Sequence, residues 1–150
     1  MVQVNVGGYD HHSDIKNAMA NTARRYDQAF SALITDLKQR GLLDSVLIVW
    51  GGEFGRTVTS GGGAGLPGRD HNGKAFSVWM CGGGVKGGQR YGETDETGGK
   101  AMKDIVHIHD LHATILRLMG FDHERLIYNY NGRPFRLTDV YGNVVKELIA

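Results

Sequence analysis

The chain has 150 residues, 41% of them apolar, and a formal charge of +1 from 17 basic and 16 acidic residues. That length suffices for one hydrophobic core and argues against two, so a single domain over 1–150 is expected. There is no polybasic stretch and no apolar run of about 18 residues, which disfavours nucleic acid and membrane as partners. The first six residues lack the basic start and small-residue cleavage site of a signal peptide, so a cytoplasmic location is expected.

Residues 2–6 alternate apolar and polar like a strand, and a loop follows through Gly7, Gly8, Tyr9, Asp10, His11 and His12. Ser13 then suits a helix N-cap with Asp14 in the first turn. Ile15, Met19, Ala23, Tyr26, Phe30, Leu33, Ile34 and Leu37 recur on one face, until Arg40 and Gly41 close the helix. Residues 45–50 are a continuous apolar run rich in β-branched side chains, the pattern of a strand covered on both faces. Most of the 23 glycines cluster in the middle third, where they predict ordered loops around a site or, on the plainer view, a flexible linker. A strand over 75–81 interrupts them. The lone Cys81 on it excludes an internal disulfide and has the apolar neighbours of an inert thiol. Residues 104–109 read as extended, and a helix is expected from 110 or 111 to 119, stopped by Gly120. Asn131-Gly132 between apolar runs predicts a type I′ hairpin over 126–137, which Pro134 makes peripheral, and a short helix over 144–149 ends the chain.

Three groups of residues carry chemical meaning. Asp10 and His12 lie two apart in an extended segment, so both side chains point the same way, and His71 in a second glycine-rich loop offers a third ligand. One carboxylate, two imidazoles and an open position form a catalytic divalent-metal arrangement, for which zinc is the first expectation and manganese the second. The simpler alternative has Asp10 or Ser13 capping the helix, with His11 and His12 in solvent. Glu53 and Arg56 follow the strand at 45–50, where ligands bind in open α/β sheets. Glu53 is read as a second metal's ligand, a general base, or the salt-bridge partner of Arg56. Arg56 suits bidentate binding of a phosphate or sulfate oxyanion. His11 and Asp70 flank these positions as further lining residues. His107, His109 and His112 either line the site or leave His109 and Asp110 to cap and position a helix.

Five stretches in order resemble the carboxy-terminal half of an uncharacterised sulfatase-like family of the alkaline phosphatase superfamily: 8–12, Val49 to Thr57 with its W-G-G-E-F-G-R core, Gly68-Arg69-Asp70-His71-Asn72, the glycine run at 82–88, and 106–114. The resemblance implies an α/β fold, a mixed sheet flanked by helices, and hydrolysis of phosphoric or sulfuric esters. It makes Asp10, His12 and His71 similar to the Asp, His and His of one superfamily metal site and puts Glu53 where the other metal's carboxylate stands. Phe54 falls where that second site has an imidazole. The superfamily's nucleophile and the first carboxylate of its second site belong to the amino-terminal half, outside these residues.

The mechanism expected from this set is attack by a metal-bound hydroxide, with no covalent intermediate, on a small-molecule phosphate or sulfate ester. Phosphodiesters and phosphotriesters are favoured over monoesters. Arg56 holds an oxygen and Glu53 orients the water. The rivals are a catalytically inactive, metal-binding remnant and a subunit that completes its site with another chain. A homodimer or higher homo-oligomer is expected, to cover a sheet edge and apolar surface.

Overall fold

The computed structural model describes residues 1–59 and 65–150. The chain's contacts group into two compact units, one of Met1–Gln39, Gly52–Ser77 and Thr94–Ala101, the other of Arg40–Gly51, Val78–Glu93 and Met102–Ala150. The chain carries both helices and small antiparallel sheets, so it is a mixed α and β structure. Its described strands pair two by two rather than joining one mixed sheet.

In the first unit, residues 2–6 form no strand, and Val2 and Val4 are exposed. An alternating pattern is local, whereas a strand needs a partner to satisfy its backbone groups. Helix α1 (Ile15–Gln39) follows the predicted periodicity: Ile15, Ala23, Tyr26, Phe30, Ile34 and Leu37 are half-buried on one side, although Met19 and Leu33 stay exposed. Its amino end falls one residue later than expected. Asp14, at φ 44, accepts from the Ala18 N–H through its carbonyl and from the Asn17 amide through its carboxylate, and so takes the N-cap place that Ser13 was expected to fill. Gly41, at φ +67, closes the helix as read. The short strands β2 (Gly55–Arg56) and β3 (His71–Asn72) pair antiparallel, with Arg56 opposite His71.

In the second unit, the apolar run yields only β1 (Ile48–Trp50), paired antiparallel with β4 (Trp79–Cys81) so that Trp50 lies across from Trp79 and the two indoles stack at 6.2 Å. Val49 is 40% exposed. The expectation of a strand covered on both faces is therefore corrected, since Val49 is exposed and, among the described residues, β1 has a neighbouring strand on one edge alone. Cys81 is half-buried, and burial pushes its thiol pKa up, consistent with an inert side chain. Next in chain order come β5 (Glu93–Thr94) and β6 (Ala101–Lys103), of which Thr94 and Ala101 belong to the first unit, and then helix α2 (Ile108–Leu118) of the second.

Polar groups anchor α2. His107 is its N-cap, with Nδ1 accepting from the His109 N–H at 3.3 Å, while the Asp110 carboxylate accepts from the His107 N–H at 2.9 Å and the Asn143 N–H at 2.7 Å. Fully buried Thr114 donates to the Asp110 carbonyl and accepts from the Val145 N–H. The cap thus belongs to His107 and Asp110, not to His109 and Asp110 as expected, because the helix begins two residues earlier than its apolar pattern. The hairpin β7 (Ile127–Tyr130) and β8 (Arg133–Arg136) pairs Tyr130 with Arg133 around Asn131 and Gly132, both at positive φ, as a type I′ turn requires. A single 3₁₀ turn at Lys146–Leu148 stands in place of the last expected helix.

Candidate metal centre

The loop before α1 is fixed to the helix from below. Thr22, the only buried residue described in α1, donates its hydroxyl to the Gly8 carbonyl at 3.0 Å, and the Tyr26 hydroxyl donates to the Gly7 carbonyl at 3.4 Å. From the side, the loop is laced to residues 66–69: Asp14 and Ile15 donate their N–H groups to Leu66 and Pro67, and Arg69 donates to His11. Gly68 permits this approach, because a Cβ there would collide with the His12 carbonyl. Thr57 and Asp70 then exchange two hydrogen bonds, N–H to carbonyl at 2.9 Å and N–H to hydroxyl at 3.0 Å, which leads directly into the β2–β3 pair. Three segments distant in sequence therefore present Asp10 and His12, Arg56, and Asp70 and His71 at one place.

The convergence is on a single atom. Asp10 Oδ1 lies 3.0 Å from His12 Nε2, 3.0 Å from His71 Nε2 and 2.6 Å from Arg56 Nη1, which donates to it. The Arg56 guanidinium and then the His71 ring hold the Asp10 carboxyl down at about 2, from an ordinary 3.8, against a small opposing effect of desolvation. His12 presents its other nitrogen, Nδ1, to the Asp70 carboxylate at 2.9 Å. His71 rests on the Phe54 ring with centroids 4.1 Å apart, and the Arg56 guanidinium lies 5.6 Å above the same ring. Asp10, His12 and His71 remain 60%, 48% and 48% exposed, so one side of the cluster is open to solvent and to a ligand.

These residues suit a divalent cation. One ligand atom from each of Asp10, His12 and His71 lies within 4.8 Å of the others. Ligand atoms around a tetrahedral zinc stand about 3.3 Å apart, close to the 3.0 Å that separates Asp10 Oδ1 from each imidazole nitrogen. A carboxylate on the far nitrogen of a ligating imidazole fixes its tautomer and orientation, which is the place of Asp70 behind His12.

Glu53 falls outside this trio and makes no ion pair among the described residues; the cation beside it in sequence, Arg56, pairs with Asp10 instead. The His11 ring tilts against Tyr9, and its buried Nε2 has no partner among the described residues. His107, His109 and His112 belong to the second unit, where His107 caps α2 and the His109 ring stacks on it at 5.0 Å. Sequence reasoning missed Phe54, Thr22 and Tyr26 as supports of the site. Phe54 was legible only as a missing imidazole, and the other two only as helix residues.

Two imidazoles, a carboxylate and a guanidinium on an exposed, backbone-laced loop pair define a candidate divalent-cation centre. The chain belongs to the family described as a protein of unknown function, DUF1501, whose model matches residues 1–149. No curated protein and no solved structure is detectably similar to it.

Proposed function

We propose that this chain is a metal-dependent hydrolase of phosphoric or sulfuric esters, with one divalent ion, zinc before manganese, held by Asp10, His12 and His71. The observation that carries the proposal is the meeting of these three ligand atoms beside the Arg56 guanidinium. A divalent ion there supplies Lewis acidity, lowering the pKa of a water and polarising the P–O or S–O bond. Arg56 binds an equatorial oxygen of the ester through paired N–H donors and stabilises the charge that gathers on it. Asp70 keeps His12 in the tautomer that leaves Nε2 free to ligate. The Phe54 ring, tilted against His71 and 5.6 Å from the Arg56 guanidinium, supports both side chains from one side. Glu53, in the loop between β1 and β2, orients the attacking water or holds a second ion. The resemblance to the alkaline phosphatase superfamily supports these roles in a metal-dependent ester hydrolase. Diesters and triesters fit a site with one guanidinium better than doubly charged monoesters.

Exposed apolar side chains on the second unit, among them Ile127, Tyr130, Val140 and Tyr141, support a homodimer, whose mass light scattering reads directly. Among the described residues no helix is long and apolar enough to cross a membrane. The test of function is turnover of chromogenic phosphodiesters, phosphotriesters and sulfate esters after chelation and after zinc or manganese add-back. Activity that vanishes with chelation and returns with metal supports the proposal. Metal uptake without turnover of any ester supports the binding-only alternative.

A further inference from the structure

We infer that Arg56 and a divalent cation compete for Asp10 Oδ1, and that an oxyanion, by drawing the guanidinium away, opens the centre to the metal. The inference rests on the metal reading above and deepens it: cation and oxyanion are taken up together, not independently.

The crowding at Oδ1 carries the argument. A carboxylate oxygen has two lone pairs, yet this one faces Arg56 Nη1 at 2.6 Å and two imidazole nitrogens at 3.0 Å. A cation held at about 2.0–2.2 Å by Oδ1, the oxygen that faces both imidazoles, requires one of those lone pairs. Two cationic groups on one oxygen repel, so the charge-assisted Arg56 bond must lengthen or break as the metal enters.

The guanidinium has places to go without leaving the site. Its Nη2 donates to the Tyr9 carbonyl at 3.3 Å, and it lies above the Phe54 ring at 5.6 Å. Both contacts tolerate a swing away from Asp10, after which the donor that Asp10 held faces the open side of the cluster. A tetrahedral oxyanion accepts paired N–H donors in the same geometry as a carboxylate, so phosphate or sulfate replaces Asp10 as the partner of Arg56. Metal binding then raises anion affinity, and by linkage anion binding raises metal affinity by the same factor. Asp10 is satisfied by Arg56 in one arrangement and by the metal in the other, and its charge is compensated in both.

The experiment measures zinc affinity by competition with a chromophoric chelator for the wild-type chain, Arg56→Gln and Arg69→Gln, each with and without sulfate. Arg69 sits in the same loop region but donates to the Gly68 carbonyl rather than to a ligand, so it controls for simple loss of positive charge. Arg56→Gln is expected to bind zinc about tenfold more tightly without anion, and sulfate to tighten the wild type about fivefold or more while adding less to the variant. Arg69→Gln should leave zinc affinity where it was. Equal or weaker zinc binding by Arg56→Gln overturns the inference, as does an equal gain in Arg69→Gln. The sulfate effect on the wild type needs no variant to fold, and its absence is contradictory in the same way. If neither the wild type nor Arg56→Gln binds zinc, the metal reading itself fails.

Discussion

Two regions of this molecule have nearly the same composition and use it differently. The segment Asp10-His11-His12 and the segment His107-Ile108-His109-Asp110 both gather imidazoles and a carboxylate at the start of a helix. At α2 the side chains turn toward the backbone: His107 Nδ1 accepts from the His109 N–H, and the Asp110 carboxylate accepts from His107 and Asn143. Before α1 they turn toward one another and toward His71, meeting at Asp10 Oδ1 on an exposed surface. In the second case the backbone is satisfied by other means, through Thr22, Tyr26 and the 66–69 loop, which leaves the titratable atoms for a ligand. A cluster of histidines signals chemistry only where the backbone does not already need them.

The comparison breaks most visibly under alanine substitution of the loop residues. Asp10→Ala and His12→Ala are expected to reduce ester turnover to the background rate while moving Tm by no more than about 4 °C, because exposed ion pairs contribute little to stability. Arg56→Lys keeps the charge and loses the fork; at saturating metal it should lower kcat/KM by about ten- to a hundredfold, or about 1.4 to 2.8 kcal/mol of transition-state stabilisation. Asp70→Asn keeps an acceptor for His12 Nδ1 and loses the charge, so metal affinity should fall by about tenfold in a chelator titration, with kcat largely retained once metal is saturating.

At α2 the expected signature is the reverse. Asp110→Ala should cost about 1–2 kcal/mol and lower Tm by a few degrees, with metal content unchanged. Burial opposes ionisation of Asp110, but hydrogen bonds from the Asn143 and His107 N–H groups outweigh it and hold the carboxyl below its ordinary value. A depressed carboxyl contributes stability above its unfolded value and loses it as pH falls through the folded one. Acid melting curves of the wild type should therefore show a loss of stability below the ordinary carboxylate range that is smaller in Asp110→Asn.

Features set by local chemistry were legible in the sequence. The length of α1, the Gly41 stop and the Asn131-Gly132 turn follow from periodicity and backbone preference, and the D-x-H spacing together with His71 named the three candidate ligand residues that the fold brings together. Features that depend on a partner were not. Residues 2–6 alternate without a neighbouring strand, and the run at 45–50 forms three strand residues because it is paired on one edge. The Asp70 contact to His12 depends on how two loops 58 residues apart meet, and the Phe54 floor on the pairing of β2 with β3, neither of which a local pattern encodes. Glu53 illustrates the limit: its neighbour Arg56 made a local salt bridge plausible, and a carboxylate 46 positions away from Arg56 took that place.

Metal content per chain tests the central claim most directly. The wild-type chain and His71→Ala are stripped with chelator, reloaded with zinc, desalted and measured by inductively coupled plasma mass spectrometry. The account predicts at least one tightly held ion per wild-type chain and loss of that ion in His71→Ala, with a matched melting curve. Full zinc occupancy in His71→Ala, or none in the wild type, would contradict it.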